Sequence, residues 1–144
     1  MKPFRDIRRP GNSKPTPEEA ARMLVAKQGP CIPCLAGVMA GVIEAEHACR
    51  GGRGSNGEHD LPMMEYNHCK SGNIRRGHAF GFATCTWHHH GSQQLHSLGM
   101  GYEKAYAKWG PNLFDQAKVF HFVFGTDDEL IELQTEVLQQ LAAA

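Results

Sequence analysis

Four residues in two short pairs carry the strongest chemical signal in this chain: Cys31-Ile32-Pro33-Cys34 and, about fifty residues on, Cys85-Thr86-Trp87-His88. A CxxC knuckle turns tightly enough to aim two thiolates at one ion, and a CxxH pair supplies the two further donors that a tetrahedral zinc requires. With five cysteines, an odd number, and nine histidines, metal ligation is favoured over a disulfide framework. Cys49 and Cys69 lack a partner at ligand spacing and read as small core residues, with His47-Ala48-Cys49 open as part of another metal site. His89 and His90 follow His88 directly. Because a helix turns by about 100° per residue, the three cannot all address one ion. If His88 closes the zinc, His89 points to a neighbouring cavity, between the helix and the segment carrying Asn67-His68, where a second metal has room.

Several elements must position these groups. Residues 1–15, with Pro3, Pro10 and Pro15 among charges, read as a mobile basic arm, and residues 16–144 as one domain. Thr16-Pro17-Glu18-Glu19 combines an N-cap, a first-turn proline and a capping-box glutamate, opening a helix that ends before Gly29-Pro30. The glycine-rich stretch 50–60 reads as a loop. Met63 to Lys70 reads as a strand, Ser71-Gly72-Asn73 as the turn out of it, and Gly77 to Thr84 as the returning segment. A helix should start at Cys85 and run to about Leu98, limited by Gly91 and Gly99. A short helix is expected over Tyr102 to Trp109. Leu113, Ala117, Phe120 and Phe124 recur at helical spacing up to a Gly125 cap. Thr126-Asp127-Asp128-Glu129 is a second capping box, and Leu130, Leu133, Val137 and Leu141 mark a final amphipathic helix packed on the core.

Composition limits the rest. Lys+Arg and Asp+Glu both number 15, so net charge alone does not point to nucleic acid. The distribution does more: Lys2, Arg5, Arg8, Arg9 and Lys14 crowd the first residues, while acidic residues dominate after Lys118, which suits an arm that touches phosphates and an acidic helix turned away from them. No apolar run approaches the roughly 18 residues of a membrane span, and no signal-peptide stretch is present. The expectation is a soluble, cytoplasmic chain with no membrane partner.

The order of a CxxC, a strand ending in a His that follows a ligand-type residue, and a CxxHH opening a helix resembles the HNH, or ββα-metal, nucleases. More narrowly, Tyr66-Asn67-His68-Cys69-Lys70-Ser71-Gly72, Arg75-Arg76-Gly77-His78, Cys85 to Gly91 and Trp109-Gly110-Pro111 resemble the phage recombination-enhancement (Ref-type) nucleases, which act with RecA filaments on DNA. The resemblance covers about residues 31 to 125. It implies that Asn67 and His89 hold a divalent ion such as Mg²⁺ or Mn²⁺, and that His68 activates water as general base. The family's strand offers Asp or His where this chain has Asn67, a weaker ligand for a hard cation. His96 would join the ion only if the helix breaks at Gly91, since the interval from His89 is about 10 Å along an ideal helix. Lys70, Arg75 and Arg76 are candidates for phosphate contact, and His78 either assists a leaving group or hydrogen-bonds in the core.

Together these readings predict a small α+β domain: a ββα-metal core clasped by a structural zinc on Cys31, Cys34, Cys85 and His88, flanked by helices. They predict a metal-dependent DNA endonuclease of a bacterial host cell, acting in recombination with RecA. The alternative is a zinc-clasped module that binds DNA or a recombinase without cutting, which Asn67 in the ligand position favours.

Overall fold

The computed structural model describes residues 14–51, 63–71 and 74–143. Nearly all of the basic arm and of the glycine-rich loop, and Gly72-Asn73, lie outside the described residues.

Helix α1, Pro17–Gln28, begins as its sequence dictates: Thr16 Oγ1 accepts from the Glu19 N–H and the Glu19 carboxylate accepts from the Thr16 N–H. These contacts satisfy two of the donors that a helix start leaves orphaned. Gly29 ends it. Cys31 then caps a second helix, α2, Ile32–Met39, so the knuckle is the first turn of a helix. That helix is apolar along nearly its whole length and lacks the polar face that would reveal it by periodicity. A 3-10 turn follows at Ala45–His47.

Strand β1, Glu65–His68, pairs antiparallel with β4, Gly81–Thr84, in the register Glu65 opposite Thr84 and His68 opposite Gly81. Between them the chain makes a small ribbon of β2, Lys70–Ser71, and β3, Ile74–Arg75. Helix α3, Thr86–His90, leaves β4 through Cys85. Thus two antiparallel strands run directly into a helix, and the molecule is α+β.

The helix expected from Cys85 to Leu98 is broken after one turn. Gly91 has φ 52° and ψ −129°, a conformation glycine adopts without a Cβ penalty. A Cβ there would collide with Asn112 Oδ1 and Asp115 Oδ2. Asp115 accepts from the backbone and hydroxyl of Ser92 and from the Asn112 amide, buckling this turn to the chain beyond Pro111. A 3-10 turn at Gly91–Gln94 and a short α4, Leu95–Leu98, follow.

Helix α5, Tyr102–Trp109, lies where the sequence places it; α6, Ala117–Phe124, ends at Gly125 as expected but starts one turn later, leaving Leu113 in the turn before it. The last helix, α7, Asp127–Ala143, has the anticipated capping box. Its packing face is the expected one for most of its length, with Ile131 and Leu133 against the core beside Leu130 and Val137, but Gln134 joins it and Leu141 leaves it. Leu130, Gln134 and Val137 are buried and Leu141 is half exposed, because the helix outruns the core near its end. The buried Gln134 accepts from the Ala83 N–H with its Oε1, occupying a donor on β4 that no strand reaches. The main core gathers Ile32, Phe82, Trp87, Trp109, Phe120, Phe124 and Leu130 around the three cysteines of the two motifs.

Candidate metal centres on one short helix

Cys31, Cys34, Cys85 and His88 come together in the core, all four buried, with their donor atoms within 4.8 Å of one another. The His88 Nδ1 lies 3.5 Å from Cys31 Sγ, 3.6 Å from Cys34 Sγ and 3.4 Å from Cys85 Sγ. Around a tetrahedral zinc with ordinary Zn–S and Zn–N bonds, a sulfur and a nitrogen ligand stand about 3.5 Å apart. The donor set therefore fits zinc in chemistry and in spacing.

Two further contacts prepare the site. The Cys34 N–H donates to Cys31 Sγ at 3.5 Å, the usual turn of a knuckle. His88 Nε2 sits 2.8 Å from the Trp109 carbonyl oxygen. A carbonyl only accepts, so Nε2 carries the proton and the Nδ1 lone pair faces the thiols, the tautomer a ligand requires. Burial, opposed by the contact with Cys34 and reinforced by Cys85, pushes the Cys31 thiol well up from its ordinary value. The contact with Cys31, followed by that with Cys49, does the same for Cys34. Cys49 is thus a neighbour of this cluster rather than a separate core residue. The Cys31 N–H donates to the Cys49 carbonyl, so the strap that carries Cys49 is tied to the knuckle.

The second cluster is Glu65, His89 and His90, all half-buried. Glu65 Oε1 lies 2.7 Å from His89 Nδ1 and 2.6 Å from His90 Nε2. Glu65 Oε2 accepts from the Thr86 hydroxyl at 3.1 Å. Burial alone would raise the Glu65 carboxyl, but the hydrogen bond from His89 and the charges of His90 and His89 outweigh it and hold the group below the usual carboxylate range. One carboxylate and two imidazoles form a donor set suited to a divalent transition ion or a harder cation that keeps its waters.

The geometry departs here from the sequence expectation. Asn67 was to meet His89, but Asn67 Nδ2 approaches Cys69 Sγ at 3.9 Å, and the residue that meets His89 is Glu65. The strand register explains this. Positions 65 and 67 share a face, but Glu65 lies opposite Thr84, next to the start of α3, while Asn67 lies opposite Phe82, further from it. His90 joins as well. The rotation between adjacent helical residues is offset because His89 uses its near ring nitrogen and His90 its far one. His96 does not join: the helix does break at Gly91, yet His96 is exposed on α4.

His68, at the end of β1, is near enough to His89 to feel its charge. Its Nε2 is 3.1 Å from His78 Nδ1. Burial first, then the charges of Arg75 and His78, lower its pKa to about 4, so the imidazole is neutral at pH 7. Lys70 and Arg75 are exposed partners across the β2–β3 ribbon. Arg76 is committed elsewhere, 2.7 Å from Asp128 and 4.0 Å from Asp127. The acidic start of α7 thus neutralises Arg76, one of the three cations expected to contact phosphate. Among the described residues no helix is long and apolar enough to cross a membrane.

A family model described as "Recombination enhancement, RecA-dependent nuclease" matches residues 15–139. The chain belongs to this family. The match spans both clusters, α1 and nearly all of α7, well beyond the motifs that first suggested the resemblance. Comparison with curated proteins gave no match, nor did comparison with solved structures. The residue roles within this RecA-dependent nuclease family member therefore rest on its own geometry.

Proposed function

We propose that this RecA-dependent nuclease family member is a metal-dependent DNA endonuclease of the ββα-metal (HNH) kind. In this reading β1, β4 and α3 are the catalytic core and the Cys31, Cys34, Cys85 and His88 clasp is a structural zinc site. The observation that carries it is the meeting of Glu65 with His89 and His90 on the exposed side of a helix whose buried side, through His88, is locked into the thiolate cluster.

Glu65, His89 and His90 would hold the second ion. When bound, a divalent cation there supplies positive charge to the phosphate and its departing oxygen. The neutral imidazole of His68 is free to take a proton from an attacking water at neutral pH. A phosphodiester drawn beside it replaces a field of positive neighbours with a negative one and raises its basicity at the moment of use. Lys70 and Arg75 hold phosphates along the strand exit. Arg76 steadies the β3 segment against α7. RecA filaments supply the DNA substrate in the form that is cut.

The deciding experiment incubates the purified protein with supercoiled and single-stranded DNA, with Mg²⁺ or Mn²⁺, with and without RecA and ATP. The expected result is cation-dependent cutting that RecA stimulates, reduced by about a hundredfold or more in His68→Ala. Cutting without RecA at an equal rate would separate the nuclease from its recombinase. DNA binding with no cutting under any condition would make the chain a binding module.

A further inference from the structure

The general base assigned to His68 needs a defined tautomer, and a second histidine stands beside its ring. His78 is buried, at 8% exposure, and its Nδ1 lies 3.1 Å from His68 Nε2, with the two rings edge to face at 79° and centroids 5.1 Å apart. The segment holding His78 is pinned at its backbone. Its carbonyl accepts from the Tyr66 hydroxyl at 2.9 Å, and the Arg22 Nε donates to the same hydroxyl oxygen at 3.3 Å. Arg22 also donates to the Gly81 carbonyl at 3.4 Å, tying this arrangement to β4. Tyr66 stands edge-on to His68 as well, with centroids 5.1 Å apart.

Two ring nitrogens at this separation share one hydrogen, and its position decides what His68 can do. With the hydrogen on His68 Nε2, donated to the His78 Nδ1 lone pair, the other nitrogen of His68, Nδ1, keeps a lone pair that can accept a proton. With the hydrogen on His78 Nδ1, His68 carries its own proton on Nδ1 and its one lone pair is already occupied by His78. A neutral imidazole has one donor and one acceptor nitrogen, so the two states exclude each other. Only the first is a base.

We propose that His78 is a positioning residue for His68: as a fixed acceptor at Nδ1 it holds the His68 proton on Nε2 and leaves His68 Nδ1 as the nitrogen that takes the proton from water. The assignment rests on the nuclease reading above. It gives Tyr66 and Arg22 a role as well, since they fix the backbone of the acceptor through a helix, α1, that lies outside the ββα unit.

The test combines kinetics with nitrogen-15 NMR of the imidazoles in the full-length, zinc-loaded protein. In the unsubstituted protein His68 should show a protonated Nε2 and an unprotonated Nδ1; the opposite pattern overturns the proposal without any activity measurement. His78→Ala should lower kcat by about 10–100-fold while leaving zinc content and the KM for DNA unchanged. His78→Asn, whose amide oxygen can stand near the Nδ1 position, should restore most of the rate and retain the His68 tautomer. If His78→Ala fails to fold, the asparagine variant and the spectrum still decide. In a His68→Ala background, His78→Ala should cause no further loss, since a residue that acts through another is silent once that other is gone; an additive loss overturns the proposal. An inactive His68→Ala beside an unimpaired His78→Ala sinks this proposal alone. A His68→Ala protein that cuts normally sinks the assignment of the base, and this proposal with it.

Discussion

The two ligand clusters share a helix of one and a half turns and differ in almost everything else. The thiolate cluster has four donors, every one buried, with its histidine braced by a backbone carbonyl. Its neighbour has three donors of oxygen and nitrogen, all half-buried, and its carboxylate is braced only by a hydroxyl. Four buried donors satisfy a tetrahedral ion and exclude any further ligand, so the binding energy of the ion goes into the fold. Three donors at a surface leave coordination positions for water and substrate. His88 and His89 are adjacent in sequence yet serve opposite sides, because consecutive helical side chains diverge by about 100°. The buried cluster fixes the helix, and the fixed helix presents the open one.

The comparison breaks most visibly if the buried cluster is disturbed. Cys31→Ser or Cys85→Ser should release about one equivalent of zinc and unfold the domain, read by metal analysis and a melting curve. Retention of both metal and melting temperature would show that the clasp is not structural. Glu65→Gln should do the opposite: cleavage falls by about a hundredfold or more, while zinc content and melting temperature stay put. His89→Ala should match it, with partial recovery in excess Mn²⁺. An unfolded Glu65→Gln protein would erase the distinction between the two sites.

Proton release sharpens it further. The Cys31 and Cys34 thiols lie well above their ordinary pKa, so at pH 7 they are protonated without metal and must lose protons when zinc binds. Zinc affinity therefore rises with pH and falls on acidification. Glu65 is held below the usual carboxylate range and needs no such release. Calorimetry in two buffers of different ionisation enthalpy should show net proton release for zinc; none would mean the thiolates are already formed.

The smallest effects are on the β2–β3 ribbon. Lys70→Ala and Arg75→Ala should each weaken DNA binding and reduce the salt slope by about one. Arg76→Ala should leave the slope unchanged and cost about 0.2–1 kcal/mol of stability through its partly exposed ion pair with Asp128.

The gathering of Cys31, Cys34, Cys85 and His88 was legible because each half is local: a CxxC and a CxxH bring their donor atoms together within a single turn. The place of Glu65 beside His89 and His90 was not, because it depends on the register of two strands separated by a ribbon, and nothing within Glu65-Tyr66-Asn67-His68 says which position lies beside α3. The resemblance to a known pattern drew the ligand role to Asn67, directly before His68. Helix α2 was hidden by its uniform apolarity, while α1, α5, α6 and α7 announced themselves through caps and spacing. The Arg76 pairing with Asp128 joins segments about fifty residues apart, and charge counts carry no such information.

A zinc ion joining Cys34 to Cys85 would also make a closed ring of the chain between them. Ring closure costs entropy only in proportion to the logarithm of length, so doubling a flexible part of the ring costs about 0.6 kcal/mol. Extra length within this ring therefore costs little through closure alone, whereas one residue added between Cys85 and His88 would rotate both histidine sites out of place.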